Sequence, residues 1–333
     1  MIVNCGTTPV LGFGCSPLLG RAGRSSSLRA IERAYDAGIR FFDTARSYGY
    51  GEGEALLGEF LKGKRDSTII ATKFGIVAAK QQVWKRIAKP LVRGALMAVP
   101  GMRKAVQQQV SAQFQKGQFT VGVLQRSIEE SLSKLKTDYV DILFMHEAPA
   151  SVMTDDELMR ELERLVHDGK VRAAGISSSP DVMAAAVEQR QPAITALQFP
   201  CNVFDLSVAR RNFFAATRDI LLVANNPFGG IMRVQQTREA LRGIAGSPDT
   251  PVSIREKLGD VDDRVLAEVV LNVITRGTGI HVVLPSMMRP EHLRANIEAM
   301  SRPRFSPDDI FWLQDYLAAD GQTASLKVSD ARV

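Results

Sequence analysis

The sequence has few cysteines and lacks a long hydrophobic run, and each absence excludes a class of protein. Its 333 residues include three cysteines, Cys5, Cys15 and Cys201, which are too few and too far apart for a disulfide framework or a metal cluster. No apolar run approaches the roughly 18 residues of a membrane-spanning helix, and the amino-terminal residues lack the pattern of a secretory signal. We therefore predict a protein of the reducing cytoplasm, without stable membrane insertion and without a metal.

Acidic residues are absent from one long segment. Residues 77–120 contain eight Lys or Arg and no Asp or Glu, whereas the whole chain carries a net charge of +6. Because the excess of positive charge belongs to this segment, it is weak evidence for a nucleic-acid partner, and we predict none. Three interpretations of the segment stay open: a lid, a solvated insertion or, through a basic amphipathic helix at 83–110, a membrane-surface contact.

Short apolar runs bounded by turn residues alternate with helical patterns along nearly the whole chain. Buried strands are predicted at 10–15, 39–43, 68–74, 139–145, 171–176, 194–199, 220–224 and 280–284. Helices are predicted at 25–37, 52–61, 124–135, 154–167, 181–189, 208–217, 264–275 and 290–300. Apolar strands separated by helices predict a parallel sheet. Eight such units favour an α/β protein with a closed (β/α)8 TIM barrel over an open doubly wound sheet.

The barrel pattern leaves extra residues at both ends and two long connections. The first residues are predicted to form an N-terminal hairpin under the barrel, and residues 308–317 a C-terminal extra helix. The long loops after strands 3 and 7, at 77–120 and 228–263, are expected at the carboxyl-terminal face, where barrel enzymes build their active sites. No Pro/Ser-rich linker divides the chain, so residues 1–333 are predicted to form a single domain. A serine cluster is predicted to cap the helix at 25–37, and Thr154 the helix at 154–167.

Polar side chains stand at the carboxyl ends of three predicted strands. The second strand ends at Asp43, the third has Lys73 near its end, and the fourth leads to His146. Tyr48 follows Asp43 in a loop of Ser and Gly. Strand ends converge in a barrel, so the four residues are expected to meet. An ammonium is costly to bury without a partner, and Asp43 is the natural partner of Lys73.

These four residues together indicate protonation of a substrate oxygen. A phenol with a pKa of about 10 is a weak acid at neutral pH, and a nearby ammonium lowers that pKa because it stabilises the phenolate. We predict that Tyr48 donates the proton and that Lys73 lowers the pKa of Tyr48. Asp43 is predicted to hold Lys73, and His146 to orient the substrate oxygen. The implied reaction reduces a carbonyl to an alcohol, and it requires a nicotinamide because side chains supply no hydride.

The sequence around these positions resembles the aldo-keto reductase superfamily. The resemblance rests on Phe42-Asp43-Thr44-Ala45 with Tyr48-Gly49, on Ala71-Thr72-Lys73, and on Ser131-Leu132-Ser133-Lys134-Leu135-Lys136-Thr137-Asp138-Tyr139-Val140-Asp141, which leads to His146. It extends over nearly all of the chain and fills the four positions with the expected residue types in the expected order. It implies a (β/α)8 barrel that binds NADP(H), with NAD(H) as the alternative, and that has no Rossmann domain.

The same resemblance implies the cofactor contacts. They are, in chain order, Ser177, Ser178, Gln198, Asn225, Pro227, Phe228, Gly229, Ser286, Arg289, His292 and Asn296. The first three match the contacts of the nicotinamide carboxamide, the next four the pyrophosphate loop and the last four the adenosine end. Ser178 stands where the family pattern has Asn, and Asn225 where many members have an aromatic residue. Asn296 fits the adenine contact, and Arg289 or Arg294 is placed to reach a 2′-phosphate.

Two other functions would use the same residues. A cofactor-sensing regulatory subunit with slow turnover would keep the four positions and use the basic 77–120 segment as a docking surface. A sugar or alcohol dehydrogenase would run the same chemistry in the oxidative direction. As an enzyme, the protein is expected to act on a small-molecule carbonyl or alcohol, whose identity the sequence leaves open together with the oligomeric state. Gly12-Phe13-Gly14 lacks the third glycine of a dinucleotide fingerprint and is interpreted as pocket lining.

Overall fold

Eight parallel strands close into a barrel in the computed structural model, which describes residues 10–20, 23–78, 114–206 and 219–330. In chain order the strands are β1 (Val10–Gly14), β2 (Phe41–Asp43), β3 (Ile69–Phe74), β4 (Val77–Ala78), β5 (Phe114–Gln115), β6 (Val140–His146), β7 (Val171–Ser177), β8 (Ile194–Pro200), β9 (Leu221–Asn225) and β10 (Val282–Leu284). The barrel order is β1-β10-β9-β8-β7-β6-β3-β2, and β4 and β5 form a separate antiparallel pair. The predicted (β/α)8 barrel is confirmed.

Most of the helices lie in connections between the barrel strands, and the last two follow β10. They are α1 (Arg24–Asp36), α2 (Gly53–Phe60), α3 (Val121–Leu135), α4 (Asp156–His167), α5 (Pro180–Gln189), α6 (Ile231–Gly246), α7 (Val252–Leu258), α8 (Asp263–Thr275), α9 (Pro290–Ser301) and α10 (Pro307–Asp330). Local sequence explains several starts. Thr120 Oγ1 accepts a hydrogen bond from the N–H of Val123 at the start of α3, and Asp262 Oδ1 accepts one from Val265 in α8.

Two predicted helix caps are wrong. α1 begins at Arg24 after Gly23, which makes no side-chain cap, so the serine cluster lies inside the first turns of the helix. Asp155 rather than Thr154 caps α4. Thr154 ends a short 3-10 turn, whereas the Asp155 carboxylate accepts a hydrogen bond from the N–H of Leu158 at 3.0 Å.

The segment 228–263, predicted as a loop, contains the two helices α6 and α7. The carboxyl-terminal helix is also longer than predicted, since α10 continues from Pro307 to Asp330. The predicted amino-terminal hairpin and the predicted helices at 83–110 and 208–217 lie outside the described residues.

The interior of the barrel is apolar up to its carboxyl-terminal edge. Inward-facing side chains of successive strands pack together there, including Phe41, Ala71, Ile142, Phe144 and Val223. Successive residues of a strand face opposite sides, so the positions two residues further on also face inward. These later positions carry the polar residues of the predicted site, which therefore lie as one layer on top of the barrel core.

Two kinds of feature are absent from the part of the chain that the structure describes. None of its helices has the length and apolar character needed to cross a membrane. Nor do these residues include a group of three His, Cys, Asp or Glu side chains placed to hold a metal ion.

Candidate active site

The carboxyl ends of the barrel strands bring the predicted catalytic residues together. Asp43 ends β2 in register with Ala71 of β3, and Lys73 lies two residues further along that strand. On the other side of β3, Lys73 is in register with Phe144 of β6, two residues before His146. The three side chains therefore come from neighbouring strands at similar height, as the sequence predicts.

The Lys73 ammonium is buried and fully engaged. Lys73 is 2% exposed, and its Nζ donates to both carboxylate oxygens of Asp43 at 2.6 Å and to the carbonyl oxygen of Thr44 at 2.8 Å. An ammonium has three N–H donors, and the Tyr48 phenol is a further hydrogen-bond partner of Lys73. This satisfies the condition under which a buried charge is tolerated, namely that it is both paired and hydrogen-bonded.

Tyr48 is held over this ion pair by an unusual backbone turn. It opens the 3-10 turn Tyr48–Gly51, in which Gly49, Tyr50 and Gly51 have φ angles of 56°, 63° and 90°. Glycine adopts this left-handed region without strain, whereas a tyrosine pays about 1–2 kcal/mol. The turn places the Tyr48 ring centroid 5.0 Å from Lys73 Nζ and 6.0 Å from the centroid of the His146 ring, edge to face.

Burial and charge act in opposite directions on Tyr48. Burial raises the pKa of Tyr48 above its ordinary value of 10.0, and the charge of Lys73 opposes that rise without overcoming it. The charge of Lys73 therefore lowers the pKa of Tyr48, as predicted. The effect of burial is larger, so the net pKa of Tyr48 lies above 10.0. For Lys73 itself burial acts to lower the pKa, and the charges of Asp43 and Tyr48 outweigh it, so the net pKa is raised and the ammonium stays charged.

His146 is neutral at physiological pH. Burial, followed by the positive charges of Lys73 and Lys116, lowers the pKa of His146 to about 3. A neutral imidazole has one N–H donor and one acceptor nitrogen. It can therefore donate a hydrogen bond to a substrate oxygen without adding a second positive charge beside Lys73.

A chain of buried hydrogen bonds joins two predicted cofactor contacts to Asp43. Ser177 Oγ donates to Gln198 Oε1 at 2.7 Å, and Gln198 Nε2 donates to Asp43 Oδ1 at 2.8 Å. The amide of Gln198 keeps a second N–H. Ser178 points elsewhere, since its Oγ donates to the carbonyl oxygen of Ala148 at 2.8 Å. Sequence reasoning missed the link from Gln198 to Asp43, which no local pattern signals.

The predicted pyrophosphate loop leads directly into a helix. β9 ends at Asn225, and Gly229 and Gly230 follow with φ angles of 64° and 82° before α6 begins at Ile231. Pro227 and Phe228 lie between them. The first N–H groups of a helix have no partner within it and attract anions. The loop therefore places the amino terminus of a helix at the same edge of the barrel as Lys73.

The predicted adenosine contacts lie on the connection from β10 to α9. Arg289 precedes Pro290, the first residue of α9, with Ser286 before it and His292 after it. Asn296 lies further along the helix, is 2% exposed, and its Nδ2 has no acceptor among the described residues. A buried donor without a partner costs about 1–3 kcal/mol. Its position fits a group with ring acceptors, such as adenine.

Comparison with known proteins identifies the family of this barrel. The sequence model of the aldo/keto reductase family matches residues 10–316. The chain belongs to the aldo/keto reductase family. As a member of it, the protein is an oxidoreductase by family, and the order of its barrel strands matches the architecture that the resemblance implied.

Relatives of this family member cover nearly the same length of chain. A probable aryl-alcohol dehydrogenase of Saccharomyces cerevisiae is 27% identical over 332 residues, with 91% of each chain covered. Pyridoxal 4-dehydrogenase of Microbacterium luteolum is 23% identical over 327 residues, with 92% of each chain covered.

Solved structures of family members share the fold. An aldo-keto reductase from Bacillus halodurans matches with a TM-score of 0.65 and 21% identity, covering 92% of this chain and 91% of that one. An aldo/keto reductase from Klebsiella pneumoniae, solved in complex with NADP and acetate, matches with a TM-score of 0.61 and 19% identity, covering 93% and 92%.

Proposed function

We propose that this family member reduces an aldehyde or ketone to an alcohol with NAD(P)H, and that Tyr48 donates the proton. The observation that carries the proposal is the Tyr48 phenol above the buried Lys73–Asp43 pair, beside a neutral His146. When bound, the nicotinamide supplies the hydride that side chains lack. The residues of this chain supply the proton and determine where it is transferred.

The proton is held on Tyr48 until an oxygen close to the phenol gains negative charge. Burial keeps the pKa of Tyr48 high, so the phenol stays protonated at rest. Once the proton moves to a developing alkoxide, the nearby Lys73 ammonium stabilises the phenolate that remains. Asp43 fixes Lys73 in place, and the neutral His146 donates a hydrogen bond that orients the substrate oxygen.

We propose that the cofactor lies across the carboxyl-terminal edge of the barrel. Ser177 and the second N–H of Gln198 would hold its carboxamide, and the loop from Asn225 to Gly229 with the start of α6 would hold its phosphates. Ser286, Arg289, His292 and Asn296 would hold the adenosine. The cation at Arg289 favours NADP(H), since a guanidinium suits a 2′-phosphate.

A second candidate is the same chemistry run in the oxidative direction on an alcohol. Two relatives of similar length are named for dehydrogenation, and a Tyr–Lys pair accepts a proton as well as it donates one. A regulatory subunit with slow turnover keeps the same residues. A cytoplasmic location is part of the proposal and is supported by two free, buried cysteines, Cys15 and Cys201.

The test is a Tyr48→Phe variant assayed with NADPH on a panel of aromatic and aliphatic aldehydes. We expect carbonyl reduction to be lost, since general acid catalysis contributes about 10²–10⁴-fold, while NADPH binding measured by cofactor fluorescence stays close to wild type. Tyr35→Phe is the matched control, because the Tyr35 hydroxyl bonds Ser67 on the outside of the barrel. Unchanged turnover in Tyr48→Phe would overturn the role of Tyr48. Tight NADPH binding by a wild type without turnover in either direction would favour the regulatory subunit.

A further inference from the structure

A buried carboxylate lies behind the candidate active site. Glu54, the second residue of α2, is 1% exposed. Its Oε1 accepts a hydrogen bond from Thr72 Oγ1 at 2.7 Å, and its Oε2 is buried without a partner among the described residues. An unpaired buried polar atom costs about 1–3 kcal/mol, and more when charged. The start of α2 favours a negative charge by only about 0.3–1 kcal/mol, so stability does not explain a glutamate here.

The hydrogen bond from Thr72 to Glu54 joins the two segments that carry Lys73 and Tyr48. Thr72 immediately precedes Lys73 in β3 and faces outward where Lys73 faces inward. Glu54 follows the Tyr48–Gly51 turn by three residues, and the connection between them is tight. A Cβ at Gly53 would lie 3.0 Å from the carbonyl oxygen of Tyr48. Gly53, the neighbour of Glu54, therefore packs directly against the turn that carries Tyr48.

We propose, on the basis of the function proposed above, that Glu54 is a positioning residue. Its hydrogen bond with Thr72 acts as a brace that fixes the separation between the Tyr48 phenol and the Lys73 ammonium. Lys73 Nζ lies 5.0 Å from the centroid of the Tyr48 ring and is a hydrogen-bond partner of the phenol, and the attraction between charges weakens in inverse proportion to distance. Asp43, Cys15 and His146 also face Tyr48.

The brace is tested by removing the hydroxyl of Thr72. Thr72→Val keeps the shape of the side chain and loses the donor, whereas Thr72→Ser keeps the donor. Because Thr72→Val leaves the Glu54 carboxylate without any partner, a double variant, Glu54→Leu with Thr72→Val, removes both partners, which is close to neutral for stability. Glu268→Gln is the control, since Glu268 is a buried carboxylate of α8 that bonds the backbone of Phe305.

Three measurements separate positioning from a structural role. The pKa of Tyr48 is read from tyrosinate absorbance, as the difference between each variant and the same variant with Tyr48→Phe. The kcat for carbonyl reduction and the Kd for NADPH are measured beside it. We expect Thr72→Val and the double variant to show a higher pKa of Tyr48 and a kcat about 10–100-fold lower, as for a misplaced catalytic group. The Kd for NADPH should change less than about twofold, and Thr72→Ser should restore both readouts.

Two results would overturn the brace. One is an unchanged pKa of Tyr48 in the double variant. The other is a kcat loss that Glu268→Gln reproduces at an equal loss of thermal stability. Absence of turnover in the wild type would contradict the proposed function instead, and the absorbance titration would still decide whether Glu54 sets the distance between Tyr48 and Lys73.

Discussion

Replacing Asp43 by asparagine removes the carboxylate that holds the Lys73 ammonium inside the barrel. Both oxygens of Asp43 lie 2.6 Å from Lys73 Nζ, and at that distance the Coulomb attraction is about 6 kcal/mol for an effective dielectric constant of 20. Desolvation of the two groups offsets part of this attraction. We expect Asp43→Asn to lower the free energy of unfolding by about 3–5 kcal/mol, because it leaves a buried charge without its partner.

A second substitution distinguishes an unpaired charge from a lost attraction. The double variant Asp43→Asn with Lys73→Met removes both charges, so it should recover most of the stability lost in Asp43→Asn. The assay is urea unfolding at pH 7, followed by tryptophan fluorescence, for the wild type, both single variants and the double variant. Lys170→Met is the control, because the Lys170–Glu129 pair is exposed and should contribute at most about 1 kcal/mol.

Two results would refute the role of Asp43 as the partner of a buried ammonium. One is a loss of less than about 1 kcal/mol in the free energy of unfolding of Asp43→Asn. The other is a double variant that is less stable than either single variant. Either result would mean that Asp43 does not stabilise a buried charge on Lys73. The candidate site would then lack the fixed ammonium on which the proposed stabilisation of a phenolate depends.

Two further predictions concern His281 and Asn296. Burial lowers the pKa of His281 below its ordinary value of 6.5, and its Nδ1 accepts a hydrogen bond from the N–H of Leu222. Its contribution to stability is therefore present above pH 6.5 and lost as the pH falls through the folded pKa, so unfolding midpoints at pH 7.5 and 5.5 should differ less in His281→Asn than in the wild type. Asn296→Leu should weaken NADPH binding about tenfold in a fluorescence titration without lowering the melting temperature, because its Nδ2 has no acceptor to lose. An unchanged Kd would contradict the adenine contact.

The barrel could be predicted from the sequence because each strand is a short apolar run between turn residues. All eight barrel strands lie at the predicted places, with ends that differ by a few residues. Two helices in 228–263 were missed for a physical reason. α6 buries only three of its sixteen residues, Thr237, Leu241 and Ile244, so its buried face is short and gives a weak signal in the sequence. A helix that packs few residues against the rest of the protein has few apolar positions, so its hydrophobic pattern is a weak signal in the sequence.

The meeting of Asp43, Lys73 and His146 at one edge of the barrel could be predicted from the sequence, but the energetics of the site could not. The order of strands brings Asp43, Lys73 and His146 to one edge, which follows from topology alone. The direction of the net pKa of Tyr48 depends on how deeply the phenol is buried, and sequence spacing carries no such information. The hydrogen bond from Gln198 to Asp43 joins residues 155 positions apart in the chain, so it appears only when β2 and β8 face each other across the barrel.

The polar layer of the candidate site lies directly on the apolar core of the barrel, and this limits where the substrate pocket can be enlarged. The layer directly beneath Lys73 and His146 is made of Ala71 and Phe144, both 0% exposed and packed against other inward side chains. Deepening the pocket downward would open a cavity in the centre of the barrel, at about 24 cal/mol for each Å³ left empty. Substitutions that adapt the pocket to a different substrate therefore reduce stability least in the loops at the carboxyl-terminal edge of the barrel. The residues proposed for the chemistry therefore rest directly on residues that stabilise the barrel, whereas the loops at its edge do not carry that core.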